Sequence, residues 1–260
     1  MSERLKTLLF PLIGIAVVLV LWFLAVRLLK VPNYVLPSPE SVALALKTGY
    51  VDGLYWKHFV YTLESTVIGY VIGCSVAFVV GCVFAESRLV EQLFSPLVVA
   101  FQSMPKVALA PLLLVWFGFD LTSKVVMVAL VCFFPMFINT VVGLKSTSPA
   151  LLDLMNAFSA SRLHILVRIK VPSAAGHLFA GLQIAVVMAL IGAVVAEFVS
   201  STRGLGYLIS ASAGSMDTSV MFAGLVSLAV LGVAASALVQ MVHRRVVFWE
   251  RGAGVQIAGE

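Results

Sequence analysis

Runs of about twenty predominantly apolar residues, at 8–29, 63–85, 93–117, 124–144, 177–200 and 220–242, leave this chain few ways to fold. A hydrocarbon core about 30 Å thick is crossed by a helix of about that length. Composition supports the reading: 61% of the 260 residues are hydrophobic and 11% charged, against roughly 25% charged in a soluble domain. Mean hydropathy is +1.08. A soluble chain could not cover so much apolar side chain with polar surface. The sequence therefore predicts an all-α membrane protein with six transmembrane helices. The first run follows Arg4 and Lys6 as a secretory signal does, but it exceeds the roughly 7–15 apolar residues of a signal core. It reads as an uncleaved span.

The connections and the spans carry different signals. Residues 31–62 are punctuated by Pro32, Pro37 and Pro39 and end in a helix-like stretch near Trp56, with Tyr55, Trp56 and Tyr61 suited to an interface belt. Gly69, Gly73 and Gly81 permit close helix contacts in the second span, although a lone G-x-x-x-G is weak evidence for a dimer face. The third run contains Pro96, Pro105 and Pro111, and such breaks free backbone groups that protein or a water-lined cavity must satisfy. Lys106 stands about thirteen residues into that run, and an ionisable group so deep is by default functional. Its functional reading is attraction of an anionic solute along a pathway. The structural alternatives are an ion pair with Glu197 or Glu64, or a snorkelling side chain. Glu197, near the outer end of the fifth span, either gates or holds the loop 201–207, where Gly204 and Gly206 suit a tight turn.

Charge gives the topology. Six spans put both termini on one side, with Arg4, Lys6, Arg88, Lys145, Arg162, Arg168, Lys170, Arg244, Arg245 and Arg251; the other side holds Arg27, Lys30, Lys47, Lys57, Lys124 and Arg203. The bias predicts cytoplasmic termini. Basic residues scattered at span ends and a net charge of +5 argue against a nucleic-acid partner. Cys74, Cys82 and Cys132 lie in apolar runs as small buried hydrophobes. His58, His164, His177 and His243 follow no metal-binding spacing. No Ser/His/Asp or paired-acid set gathers at one depth, so the chain does not read as an enzyme.

One polar stretch, 148–172, stands apart. Ser148 suits an N-cap and Pro149 the first helical position. Leu151, Leu154, Met155 and Phe158 recur at helical spacing, Ser159-Ala160-Ser161 breaks the pattern, and a basic helix follows to Pro172, which is expected to close it. A helical hairpin between the fourth and fifth spans looks like a docking element.

Asp153-Leu154-Met155-x-x-x-Ser159, with nine residues before Ile169-Lys170-Val171-Pro172, resembles the coupling loop of bacterial ATP-binding-cassette importer permeases, E-A-A-x3-G-x9-I-x-L-P. Four more stretches are similar to the nitrate/sulfonate/taurine branch of that family: Leu36-Pro37-Ser38-Pro39; Pro105-Lys106-Val107-Ala108-Leu109-Ala110-Pro111-Leu112 with Trp116-Phe117-Gly118; Phe134-Pro135 with Asn139-Thr140; and Ala196-Glu197-Phe198 with Gly204-Leu205-Gly206-Tyr207. The chain departs from the motif at Asp153 for glutamate, Leu154 and Met155 for alanines, and Ser159 for glycine.

The resemblance implies a permease subunit in the bacterial inner membrane, multi-pass with both termini cytoplasmic, whose loop docks on separate ATPases through Asp153, Leu154, Met155, Phe158, Ser159, Arg162 and Pro172. Lys106, Pro105 and Glu197 would line or gate the pathway. Implied partners are two cytoplasmic ATP-binding subunits, a second permease copy, a periplasmic or lipid-anchored solute-binding protein and membrane lipid. The chain lacks G-x-x-x-x-G-K-[ST], so ATP and Mg belong to the partner subunits and no cofactor or metal is expected here. The division predicted is a first span with cytoplasmic N-terminus at 1–30, an extracytoplasmic connection at 31–62, a permease core at 63–245 and a cytoplasmic tail at 246–260. Sulfonate, taurine or nitrate is typical cargo, and relatives carrying a pyrimidine vitamin precursor or an aromatic acid are an alternative. An ion-gradient-driven secondary transporter is the competing class.

Overall fold

The computed structural model describes residues 3–249, with only the helical backbone path for 3–9, 11, 12 and 200. The predicted tail beyond Trp249, with Arg251, and the side chains of Arg4 and Lys6 lie outside the described residues. Among those described, every regular element is helical. The helices are α1 (Glu3–Leu28), α2 (Pro39–Val51), α3 (Trp56–Glu86), α4 (Arg88–Ser103), α5 (Ala110–Phe117), α6 (Leu121–Lys145), α7 (Pro149–Ala157), α8 (Arg162–Ile165), α9 (Val171–Ser173), α10 (Ala175–Ser200), α11 (Leu205–Gly214) and α12 (Thr218–Val246).

Four of these, α3, α6, α10 and α12, are long and apolar enough to cross a membrane, and α4 with α5 forms a bent fifth candidate. That pair occupies the third predicted run, whose prolines the sequence marks as breaks. Its two limbs meet at 87°. The proline ring of Pro105 forces Met104 into an extended conformation (φ −71°, ψ 136°). The chain resumes as a 3₁₀ turn over Lys106–Leu109, and Pro111 then starts α5 where a missing N–H costs nothing.

The chain divides into two compact units. The first takes in residues up to Tyr61 and Thr202–Ala229. Its core is Val42, Tyr55, Leu205, Leu208 and Ala223, flanked by Trp22, Phe59 and Phe222. The Trp22 indole N–H donates to the Pro37 carbonyl at 3.0 Å, and the Tyr50 hydroxyl donates to Ser227 Oγ at 2.9 Å. Tyr55, expected in an interface belt, is instead buried and meets Tyr50 edge to face. Trp56 is exposed. Gly204 takes φ 107°, open chiefly to glycine, and its N–H donates to His58 Nδ1 at 3.1 Å. Gly206 is not part of that turn; it lies buried within α11.

The second unit comprises Thr62–Ser201 and the chain from Val230. Small residues govern its packing, because helices in lipid gain little from burying apolar surface and rely on close contact. Ala185, Ala189 and Ala193 of α10 face Val128, Cys132 and Met136 of α6 in one core. A Cβ on Gly69 would fall 2.5 Å from Val128 Cβ, and one on Gly73 would fall 2.5 Å from the Ala129 carbonyl. The G-x-x-x-G of the sequence is thus an α3–α6 contact within the chain. Cys74 and Cys132 are free and buried in this core.

Candidate functional site

The polar stretch folds as a helix, a break and a second helical segment. Ser148 occupies the position before α7, where its carbonyl accepts the Leu151 and Leu152 N–H groups; its hydroxyl makes no cap bond. At the far end, the Ser159 N–H donates to the Asn156 carbonyl (2.9 Å) and the Ala160 N–H to the Met155 carbonyl (3.1 Å). These are the two bonds of a Schellman ending. It needs a left-handed residue, and Ser159 supplies it at φ 56°. The next helix begins with a true cap, the Ser161 hydroxyl accepting the His164 N–H at 3.3 Å.

Pro172 does not close that segment, contrary to expectation. Residues Leu166–Lys170 widen to a π turn, in which the Val171 N–H reaches back to Leu166. Pro172 then falls in the first turn of α9, where it needs no donor. The chain stays helical, apart from a turn at Ala174, into α10.

The outer face of this hairpin is apolar and exposed. Leu154, Phe158, Leu163 and Val167 are 49%, 73%, 70% and 53% exposed. Asp153 and Arg162 are exposed beside them, Met155 is half-buried, and Ile165 is turned into the protein. The inner side is fastened by charge. Lys170 pairs with Glu86 at 2.5 Å, which ties the loop to the end of α3, and Lys145 at the end of α6 pairs with Glu91 of α4. Glu86, Arg88, Leu152, Asn156, Arg162, Ile165 and Lys170 enclose an open, polar cavity of about 330 Å³ there. The sequence placed all these charges on one side of the membrane, but their pairing depends on which helices adjoin.

The second set of expected residues is not brought together. Lys106 follows the kink at Pro105. Its Nζ donates to the Gln102 carbonyl at 3.2 Å and lies 4.6 Å from the Phe134 ring centroid. It borders an open pocket of about 270 Å³ lined by Gln102, Val131, Phe134, Pro135, Ile138, Ile184 and Met188. Neither Glu197 nor Glu64 pairs with it among the described residues. Glu197 is 1% exposed, and its Oε1 accepts the Thr62 hydroxyl at 2.8 Å.

The cation beside Glu197 is one that sequence reasoning read as an ordinary span-end charge. Lys124 is fully buried, donates to the Phe119 carbonyl at 2.6 Å, and is acted on electrostatically by Glu197 and Asp120. The available signal was position: a lysine in the first turn of an otherwise uncharged span, and the acid of the fifth span at a similar distance from the same membrane face.

Residues 69–248 match the family described as the binding-protein-dependent transport system inner membrane component. The chain is 36% identical over 245 residues to the riboflavin transport system permease protein of Chloroflexus aurantiacus, covering 93% of this chain and 91% of that one. It is 31% identical to the formylaminopyrimidine transport permease protein of Halalkalibacterium halodurans, covering 93% and 96%. It is 28% identical to a putative aliphatic sulfonates transport permease protein of Bacillus subtilis, covering 94% and 87%. Its fold is like that of a chain of the MetNI methionine ABC transporter in an inward-facing conformation, with a TM-score of 0.58 at 20% identity, over 75% of this chain and 93% of that one. Apolar spans, a kinked helix pair and this family match agree: the chain belongs to the inner-membrane components of binding-protein-dependent transport systems, the permeases of ATP-binding-cassette importers.

Proposed function

We propose that the chain forms the translocation pathway of an importer for a small anionic or polar solute and takes its energy from separate ATPase subunits through residues 148–172. The observation that carries this reading is the exposed apolar ridge of Leu154, Phe158 and Leu163 on a loop fastened from behind by Lys170–Glu86, beside the Lys145–Glu91 pair that joins α6 to α4. An amphipathic helix presents such a face to a partner's groove, and the tether would pass the partner's movement to α3. Nucleotide and Mg reside on those partners. With α1 and the α4–α5 pair counted as spans, the chain crosses six times and keeps both termini with the loop on the cytoplasmic side. A second permease copy completes the pathway, and a periplasmic or lipid-anchored binding protein delivers the solute.

Lys106 beside an apolar pocket supports an anionic cargo such as a sulfonate, taurine or nitrate. A second reading is favoured by the Phe134 ring beneath Lys106 and by the relatives named for riboflavin and formylaminopyrimidine. A flat heteroaromatic solute would stack there. Uptake of labelled taurine against labelled riboflavin and formylaminopyrimidine separates the two.

The deciding experiment is gentle purification of the tagged chain from its native membrane, with mass spectrometry of its partners and an ATPase assay. A stoichiometric ATPase is expected, and a bound binding protein leads to the solute. A chain that purifies alone, without ATPase activity and with uptake driven by a proton or sodium gradient, would instead make it a secondary transporter.

A further inference from the structure

Three cations converge on the cavity behind the α7–α8 hairpin. Arg88, the first residue of α4, Arg162, the first of α8, and Lys170 all line it, against one carboxylate, Glu86. Glu86 is committed to Lys170 at 2.5 Å, and among the described residues neither arginine takes part in a salt bridge. Three cations less one carboxylate leave the cavity with two positive charges in excess. Both arginines are exposed, so their guanidinium groups are open to an incoming molecule. Like charges around one cavity repel each other, a cost that an anion bound between them removes.

The chemistry of the lining suits phosphate. A guanidinium presents paired N–H donors that match phosphate oxygens. Arg88 also stands at the N-terminal end of the 16-residue α4, where the helix dipole is positive. The Asn156 amide offers a further donor, and Leu152 and Ile165 supply an apolar wall. The volume, about 330 Å³, falls at the small end of the range of ligand sites, about 300–1,000 Å³. It holds a phosphate group and the carbons next to it. Glu86 ends α3, a helix long enough to span, so the cavity stands at a membrane face. Basic pockets at that level meet phospholipid head groups as well as soluble ions. We propose that this cavity binds a phosphate group between Arg88 and Arg162, with Lys170 beside it, borne by an anionic phospholipid or by a free anion. Bound there, the phosphate bridges α4 to α8 and adds a fastening to the Lys170–Glu86 tether. The site depends neither on which solute is carried nor on the ATPase.

The test is chemical protection of the arginines. The full chain in nanodiscs is treated with phenylglyoxal, which modifies arginine, and adducts are located by mass spectrometry. One arm adds millimolar inorganic phosphate to nanodiscs of phosphatidylcholine. The other mixes phosphatidate into the nanodiscs and omits inorganic phosphate. Modification of Arg88 and Arg162 is expected to slow several-fold, with Arg168, exposed on the same loop but outside the cavity, unchanged. Protection in the first arm alone supports a soluble anion as ligand, and in the second alone a lipid head group. Arg88→Gln is expected to raise the phosphate or phosphatidate needed to protect Arg162 about tenfold, the worth of one hydrogen bond to a charged group. Glu86→Gln frees Lys170 for the anion and is expected to lower that requirement. No protection in either arm, equal protection of Arg168, or equal protection by chloride at matched ionic strength would overturn the site. Protection of Arg162 that is indifferent to Arg88→Gln would overturn it too, since the two arginines would then share no ligand. Protection of Arg162 only by a co-purified ATPase, with Arg88 reactive throughout, would overturn the phosphate in favour of that partner.

Discussion

At the scale of the residue, Ser159 and the Lys124–Glu197 neighbourhood hold strained or costly chemistry. A left-handed conformation costs a non-glycine residue about 1–2 kcal/mol, and Ser159 bears that cost at φ 56° to complete both bonds of the α7 ending. Ser159→Gly is expected to relieve about 1 kcal/mol, slowing hydrogen exchange at residues 159 and 160 about fivefold; Ser159→Val is expected to speed it. Unchanged exchange in both variants would mean that the ending is held by its neighbours. Lys124 and Glu197 sit at 0% and 1% exposure and act on each other electrostatically, and leaving a buried charge uncompensated costs about 3–5 kcal/mol. Lys124→Met is therefore expected to lose most folded protein on mild heating in detergent. Lys124→Met with Glu197→Gln, which keeps an acceptor for Thr62, is expected to recover much of it.

At the scale of the element, the hairpin of α7 and α8 has two faces with separable jobs. A charge on the exposed ridge, Phe158→Glu, or reversal at Asp153 (Asp153→Arg), is expected to abolish uptake and ATPase co-purification while leaving membrane insertion intact. Normal uptake by the correctly inserted double variant would remove the ridge from the coupling path. The inner face is tested by charge exchange. Lys170 and Glu86 retain 17% and 28% side-chain exposure, so their pair contributes little stability, at most about 1 kcal/mol. Glu86→Lys is nevertheless expected to reduce uptake about fivefold by releasing the loop, with ATPase binding preserved. Glu86→Lys with Lys170→Glu is expected to restore uptake.

Much of this element was legible in the sequence, because helical spacing, a Ser-Ala-Ser break and Pro149 act locally. What was not legible depends on neighbours far along the chain. The outcome at Pro172 turned on a π turn formed before it, and the partners of Lys170 and Lys145 lie 84 and 54 residues away. Lys106 and Glu197 share an apolar setting in the sequence, but Lys106, after the kink at Pro105, lies over Phe134, while Glu197 bonds Thr62 and acts on Lys124. Apolar runs announce helices; which helices adjoin is decided by small residues such as Gly69 and Gly73, whose contacts with α6 are visible only once the chain has folded.

At the scale of the whole molecule, the prediction with most consequence concerns sidedness. On the six-span topology proposed above, ten basic residues would accompany the termini and the loop and six would lie opposite, and juxtamembrane lysine and arginine are retained on the cytoplasmic side. The Lys170–Glu86 and Lys145–Glu91 pairs keep four charged residues at one membrane face, whichever side that is. Native cysteines do not interfere with a labelling test, as Cys74 and Cys132 are buried and Cys82 is half-buried in a span. Phe158→Cys and Lys47→Cys each place a thiol on an exposed side chain on opposite expected sides. In intact cells, a membrane-impermeant maleimide admitted to the periplasm is expected to label residue 47 and spare residue 158, with both labelled once the membrane and the complex are taken apart in denaturing detergent. If residue 158 is labelled in intact cells and residue 47 is not, the loop faces outward, no cytoplasmic ATPase can reach Leu154 or Phe158, and the proposed coupling fails whatever the family of the chain.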